Sequence, residues 1–247
     1  NMEKYDLSSI KKADIAGEAL NPEVFKIFQK LTGVKLREGF GQTETTVMLF
    51  NNEWIEPRPG SMGMPAAGWD VQLLNESGKP VATGETGEIC VNLERGKPVG
   101  LFKGYHKNEK QNESAFRKGF YHTGDVAYRD ADGYFWFIGR NDDLIKSSGY
   151  RISPFEVESV LLEHPAVREV AVTGVPDELR GMNVKATIVL NKFYQGTDAL
   201  VAQLQQHTKE RTAPYKYPRV IEFVETLPMT ISGKIKRAVI RALDGKK

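Results

Sequence analysis

Five short segments of this chain combine permissive backbone with one or two polar groups of the kind that handle phosphates and sugars. In Gly39-Phe40-Gly41-Gln42-Thr43-Glu44-Thr45-Thr46, two glycines let main chain come close to a ligand. Thr43 can donate to a phosphate oxygen, and Glu44 can hold a hard cation such as Mg²⁺ through oxygen or water. The same stretch also suits a strand-to-helix turn with a capped helix. In Tyr121-His122-Thr123-Gly124-Asp125, a carboxylate after glycine can accept both hydroxyls of a ribose, or simply neighbouring backbone N–H groups. Arg140, in Gly139-Arg140-Asn141-Asp142-Asp143, offers a rigid fork of donors for a ribose or phosphate; a solvated charged loop reads equally well. Lys146-Ser147-Ser148-Gly149-Tyr150-Arg151 puts hydroxyls, loose backbone and a cation ahead of a helix start, which suits a phosphate ligand or an ordinary surface loop. Finally, Lys234 stands on Pro228-Met229-Thr230-Ile231-Ser232-Gly233, and a compact ammonium there can neutralise charge developing between a carboxylate and a phosphorus atom. A basic loop is the alternative.

Other chemistries lack their residues. His106, His122, His164 and His207 do not pair at ligand spacing, so a metal cluster built on histidine is not expected. There is no G-x-S-x-G elbow and no complete Walker A motif, and the S-x-x-K of Ser8–Lys11 lacks its companions. The single cysteine, Cys90, excludes a disulfide framework and a multi-cysteine zinc site. The net charge of +2, from 34 basic and 32 acidic residues, argues against a nucleic-acid or membrane surface protein held by bulk electrostatics. No apolar run approaches the roughly 18 residues that span a bilayer. Asn1-Met2-Glu3-Lys4 does not read as a signal peptide, so a cytoplasmic or organelle-matrix setting is expected.

The elements that must carry these segments divide the 247 residues in two. Residues 13–17 read as a strand. A helix follows, with Asn21 as N-cap, Pro22 first, Val24, Ile27, Phe28 and Leu31 as its apolar stripe and Gly33 as its end. Residues 34–38 read as the next strand and Gly39–Gly41 as the loop after it. From about 55 to 139, short β-type runs (Asp70–Leu74, Glu88–Leu93, Tyr134–Ile138) alternate with turns, which predicts a barrel-like or distorted antiparallel subdomain. A polar joint at 140–143 separates this from an α+β pattern. There Ser153-Pro154-Phe155-Glu156 is a capping box, Val167–Gly174 and Val184–Leu190 are strands, and 198–211 is a helix. A strand at 219–224 and a basic helix at 235–243 follow. The expected division is 1–140 and 141–247.

In their order and intervals, the five segments resemble the later core motifs of the adenylate-forming (AMP-binding) superfamily of acyl-CoA synthetases, adenylation domains and luciferases. Gly17-Glu18-Ala19-Leu20-Asn21-Pro22 resembles that family's adenine-site turn. Ser148-Gly149-Tyr150-Arg151-Ile152, Glu163-His164-Pro165-Ala166-Val167 and Thr212-Ala213-Pro214-Tyr215-Lys216-Tyr217-Pro218-Arg219 resemble the medium-chain acyl-CoA synthetase and acetyl-CoA synthetase branch. The family's early phosphate loop ending in Pro-Lys has no counterpart in residues 1–16. The chain is therefore expected to be a C-terminal half, inactive alone: an incomplete large AMP-binding domain (a β–α unit plus the β subdomain) and a small α+β lid domain.

What the resemblance implies is a two-step ligase. A carboxylic acid, fatty or otherwise small, attacks the α-phosphorus of ATP to give acyl-AMP, and CoA then displaces AMP. Lys234 would bridge the carboxylate and α-phosphate, Thr43 would bind that phosphate and Glu44 would hold Mg²⁺. Gly17, Glu18 and Ala19 would line the adenine, with Glu38, Gly39, Phe40, Gly41 and Gln42 as the nucleotide wall. Asp125 would take the ribose hydroxyls with Arg140, Arg151 would reach the nucleotide, and Asp142 would be the hinge of the lid. Ser148, Gly149, Tyr150, Arg180, Lys209, Tyr217, Pro218 and Arg219 would meet CoA, the three basic residues at its phosphates. That basic set favours free CoA over the alternative of an adenylation domain loading a carrier protein; a non-catalytic fragment is the third reading. Acids from acetate through medium-chain to aromatic fit this reading, since only Gly39–Met48 of the acyl pocket wall is present.

Overall fold

The first helix begins where its sequence dictates. In the computed structural model, which describes residues 4–231 and 233–245, strand β1 (Ala13–Ala16) leads into helix α1 (Pro22–Thr32). The Asn21 side chain accepts the Glu23 amide at 2.8 Å, and Pro22 sits where an N–H would have no helical partner. Gly33 closes the helix in left-handed backbone, φ 73°. The inward face differs from the expected stripe. Phe25 is buried against Leu20 and Leu36 with Phe28 beside it, while Val24 and Ile27 are exposed. Periodicity finds an apolar stripe; the side that is covered depends on where Leu20 and Leu36 lie.

Strand β2 (Leu36–Gln42) runs through the glycines expected to form a loop. It pairs parallel with β1 and antiparallel with β3 (Thr46–Phe50), so its amides find partners on both sides. Gly41 allows the close approach: a Cβ there would lie 1.8 Å from the Thr46 carbonyl oxygen. The chain continues through β4 (Ser61–Pro65), β5 (Val71–Leu74), β6 (Thr86–Asn92), α2 (Glu109–Ala115), β7 (Phe116–Arg117), β8 (Phe120–Arg129) and β9 (Phe135–Arg140). Among the described residues these strands form one sheet in the order β1-β2-β3-β4-β9-β8-β6-β5, with β7 on β8. Every pairing after β1–β2 is antiparallel, as the closely spaced turn signals implied. Met48, Leu49, Met62, Ile89, Val91, Tyr121 and Phe135 fill its core. Helix α2 buries no residue, which is why no apolar stripe announced it.

The chain separates into two compact units, Asn1–Phe137 and Ile138–Lys247. The break falls three residues before the joint read from sequence, because Ile138 already belongs to the second unit: its carbonyl accepts the Ser153 hydroxyl. In that unit β10 (Ile145–Ser147) and β11 (Tyr150–Ile152) form a hairpin, and α3 (Pro154–Leu162) follows. The Ser153 hydroxyl accepts the Glu156 amide at 3.1 Å, the first half of a capping box, while the Glu156 carboxylate goes to Lys216. Strands β12 (Val167–Asp177) and β13 (Gly181–Leu190) pair over their full length and reach past the expected ends, because Asp177 accepts the Leu179 and Arg180 amides and makes a tight turn. Helix α4 (Asp198–Arg211), β14 (Val220–Phe223), parallel to β13, and α5 (Arg237–Asp244) complete the unit. Its core holds Ile152, Val157, Leu161, Val172, Ile188 and Leu204.

Leu161 is fully buried and its neighbour Leu162 is 40 % exposed. Leu161→Ala is expected to destabilise the second unit by about 2–5 kcal/mol in urea unfolding, through transfer and cavity losses. Leu162→Ala is expected to stay within about 0.5 kcal/mol.

Candidate functional site

Within the first unit, two of the five segments meet through one side chain. Gln42, the last residue of β2, donates from Nε2 to the Thr123 carbonyl at 2.9 Å and to Asp125 Oδ2 at 2.5 Å. Its Oε1 accepts the Tyr121 hydroxyl at 2.8 Å. The amide thus fixes the end of β2 against the middle of β8, with Asp125 buried at the contact. Thr43 and Glu44 follow at the tip of the β2–β3 hairpin. This is a hairpin and not the start of a helix: the Thr45 hydroxyl accepts the Gln42 amide at 2.8 Å, and Thr46 turns at φ 70°. Thr43 is exposed. Glu44 is oriented by the Tyr105 hydroxyl, which donates to its Oε1 at 2.9 Å. One carboxylate beside a threonine hydroxyl suits Mg²⁺, which keeps several waters and shares substrate phosphates.

Asp125 is aimed by a bulge. Positions 88 and 90 of β6 pair with 126 and 122 of β8, so Ile89 alone faces Thr123, Gly124 and Asp125. Gly124 takes up the turn at φ 75°. The Thr123 hydroxyl donates to the Ile89 carbonyl at 2.8 Å and accepts the Asp125 amide at 3.0 Å. Glu88 Oε1 accepts the Gly124 amide at 3.1 Å. Tyr105 and Glu88 carry no local motif: Tyr105 reaches Glu44 from a loop 61 positions on, and Glu88 reaches Gly124 from the neighbouring strand.

The adenine-type turn is anchored too. Gly17 has φ 108°, and the Leu20 amide donates to Glu38 Oε1 at 3.1 Å. Glu38 is 4 % exposed, and its Oε2 has no hydrogen bond among the described residues. Burial therefore pushes its carboxyl up to about 7, against the opposing pull of the Leu20 amide.

Glu88, Cys90 and His122 stand close enough to consider a cation. His122 Nδ1 lies 2.9 Å from Glu88 Oε2 and 3.3 Å from Cys90 Sγ. The donor set does not fit one. Arg117 also reaches Glu88 Oε2 at 3.3 Å, and burial, together with the Glu88 charge, pushes the Cys90 thiol up, so it stays protonated. The trio is a hydrogen-bonded network.

In the second unit, Ser148 and Gly149 are the two turn residues of the β10–β11 hairpin, at φ 50° and 83°. The Ser148 amide donates to the Arg180 carbonyl at 3.0 Å, and Tyr150 stacks on Tyr215 with ring centres 4.0 Å apart. Lys209 and Arg219 both sit on the Tyr217 ring, at 4.1 and 4.6 Å. The Pro218 and Arg219 carbonyls accept Gln205 Nε2. Arg151 is exposed across the hairpin from Lys146. Arg140 reaches Asp142 at 3.4 Å. Lys234 is exposed on a tight turn: its amide donates to Thr230 Oγ1 at 2.9 Å, its carbonyl accepts the Thr230 amide at 2.8 Å, and Gly233 has φ 84°. Ser232 of that turn lies outside the described residues. Just beyond, Arg237 at the start of α5 forms a two-pronged pair with buried Glu158 at 2.7–2.8 Å. Arg241 pairs with Asp143 and Asp244 with Lys185.

The chain thus joins a β-sheet unit with a carboxylate on a bulge to an α+β unit with a lysine on a turn. Residues 1–106 match the AMP-binding enzyme family and residues 156–234 match the AMP-binding enzyme C-terminal domain, and the chain belongs to this family. It is 48 % identical over 243 residues to the mitochondrial acyl-coenzyme A synthetase ACSM3 of Mus musculus, covering 98 % of this chain and 42 % of that protein. It is also 48 % identical over 248 residues to 4-hydroxybutyrate–CoA ligase 1 of Metallosphaera sedula, covering 100 % and 44 %. Among solved structures, the anthranilate CoA ligase AuaEII in complex with anthranoyl-AMP superimposes with a TM-score of 0.89 at 38 % identity, over 98 % of this chain and 46 % of that one. The benzoate CoA ligase of Burkholderia xenovorans does so at 0.83 and 34 %, over 94 % and 46 %. The chain thus spans less than half the length of these relatives. No helix among the described residues is long and apolar enough to cross a membrane.

Because the Glu38 carboxyl is raised from 4.5 to about 7, it favours the folded state fully only below the unfolded value, and that stabilisation is lost as pH rises through 7. The wild-type melting temperature is expected to carry this fall between pH 4.5 and 7, worth on the order of 3 kcal/mol. Glu38→Gln, an amide that mimics the protonated acid, is expected to flatten it.

Proposed function

We propose that the protein to which this chain belongs is an AMP-forming acid–CoA ligase. It joins a small carboxylic acid, fatty or aromatic, to CoA through an acyl-adenylate. The observation that carries this reading is the Gln42–Asp125 junction, which joins the hairpin of Thr43 and Glu44 to a buried carboxylate suited to ribose hydroxyls. The relatives named as acyl-CoA synthetases and CoA ligases support it.

The chemical difficulty is charge, since a carboxylate must approach a polyanion. In the first step a carboxylate oxygen attacks the α-phosphorus, the bond to the bridging oxygen breaks, and pyrophosphate leaves with that electron pair. Lys234 holds the approaching carboxylate and the α-phosphate together, and the Thr43 hydroxyl donates to the same phosphate. Glu44 would hold Mg²⁺, which would offset phosphate charge when bound. Gly17, Glu18 and Ala19 line the adenine, Glu38 to Gln42 form the wall, and Asp125 accepts the ribose hydroxyls with Arg140 and Arg151 beside the nucleotide. In the second step the CoA sulfur attacks the acyl carbon and AMP leaves. Asp142 is the hinge that lets the second unit serve both steps. The Ser148–Gly149 turn and Tyr150 line the thiol's path, and Arg180, Lys209 and Arg219, with Tyr217 and Pro218, receive the phosphates of CoA. Two rigid guanidinium forks and an ammonium match a 3′-phospho-ADP group, which a carrier-bound pantetheine lacks. The large unit spans 1–140 together with chain outside these 247 residues; 141–247 is the lid.

In the complete protein, Lys234→Ala is expected to slow acyl-AMP formation about 10²–10³-fold in single-turnover assays. Thioester formation from supplied acyl-AMP and CoA is expected to stay within about threefold. Intact adenylation with a lost thioester step would overturn the role given to Lys234.

A further inference from the structure

Gly124 lies in the bulge of β8, where its amide has left the regular ladder. A half-buried amide needs an acceptor, and a backbone at φ 75° between two anchored residues has few ways to find one. Glu88 supplies it from the neighbouring strand, at 3.1 Å. The other carboxylate oxygen is held by His122 at 2.9 Å and Arg117 at 3.3 Å, so the side chain has little freedom to turn away. His122 is itself fixed beside Cys90. One residue beyond the captured amide is Asp125, whose own amide is tied to Thr123 Oγ1 and whose carboxylate meets Gln42.

The geometry points to Glu88 as a positioning residue: by holding the Gly124 amide it keeps the bulge in shape and aims Asp125 at the hydroxyls of a nucleotide ribose. The inference rests on the ribose reading of Asp125 given above. Burial alone would raise the Glu88 carboxyl, but His122, Arg117 and the Gly124 amide outweigh it and hold the group below the usual carboxylate range. The acceptor is therefore a full carboxylate at neutral pH, the stronger kind of partner for an amide. Thr123 closes the other side of the bulge onto the Ile89 carbonyl, so the loop is pinned from both neighbouring positions of β6.

The test compares ATP with 2′-deoxy-ATP in acid-dependent pyrophosphate release by the complete protein. Wild type is expected to prefer ATP. In Glu88→Ala, kcat/KM for ATP is expected to fall about tenfold, mostly through KM, the scale of one hydrogen bond to a charged group. With 2′-deoxy-ATP, which keeps only the 3′-hydroxyl, it is expected to fall less, about threefold, because one of the two contacts that Asp125 loses is already missing. Glu88→Asp keeps the charge but is one methylene short of Gly124 and is expected to behave like Glu88→Ala; it serves if the alanine variant does not fold. Glu88→Gln, which can still accept the amide, is expected to recover most of the preference for ATP. Equal losses with both nucleotides would reveal general structural damage, and an unchanged KM for ATP would mean Asp125 needs no such support. Either result, with a discriminating wild type, overturns the role of Glu88 alone. A wild type that treats both nucleotides alike, or releases no pyrophosphate with any acid, overturns the ribose reading and this inference with it.

Discussion

The side-chain amide of Gln42 is the joint on which the first unit's chemistry depends. It donates twice and accepts once, and all three bonds cross from β2 to β8. An amide can do this because it carries donors and an acceptor on one rigid plane. Its position is set from behind by Gly41, where main chain passes so close to Thr46 that no side chain fits. It is set from the front by the β8 bulge, which turns Asp125 toward β2. Glu38, four residues earlier on the same strand, captures the Leu20 amide. One strand therefore fixes both the adenine-type turn and the ribose-type carboxylate, so their separation is built into the sheet and does not rest on loop conformation.

In the second unit the exposed Lys234 is carried on an ordered turn. Lys234 sits on a turn closed by Thr230 through both main chain and hydroxyl. The helix after it is moored along its length, by Arg237 to Glu158, Arg241 to Asp143 and Asp244 to Lys185. Buried ion pairs are costly to desolvate and add little net stability, but breaking one leaves an unpaired charge, so they fix geometry strongly. Glu158 also accepts the Val172 amide at 2.8 Å, which ties α3 and β12 to the same point. The lysine turn is thus an extension of the packed core, although its tip is exposed.

Much of this was legible in the sequence, for physical reasons that can be named. Asn21-Pro22 and Ser153-Pro154 carry their own capping chemistry, so α1 and α3 begin where expected. The five polar segments, which sit at turns, strand ends and a bulge, could be found because glycine and hydroxyl clusters are local signals. What stayed hidden depends on partners distant in the chain. Gly39–Gly41 reads as a loop by composition, yet two flanking strands make it β2. The covered side of α1 depends on Leu36, and the roles of Glu88 and Tyr105 depend on pairings across 36 and 61 positions. The His122–Cys90–Glu88 contact shows no helical ligand spacing, because these residues meet across antiparallel strands.

The proposed chemistry requires that a carboxylic acid be activated as its adenylate before CoA takes part. The most direct measurement is exchange of labelled pyrophosphate into ATP by the complete protein, with a panel of graded carboxylic acids and no CoA. Mg²⁺-supported exchange is expected that requires an acid and that vanishes in Lys234→Ala. Release of ADP and phosphate, or exchange that appears only when CoA is added, would contradict it.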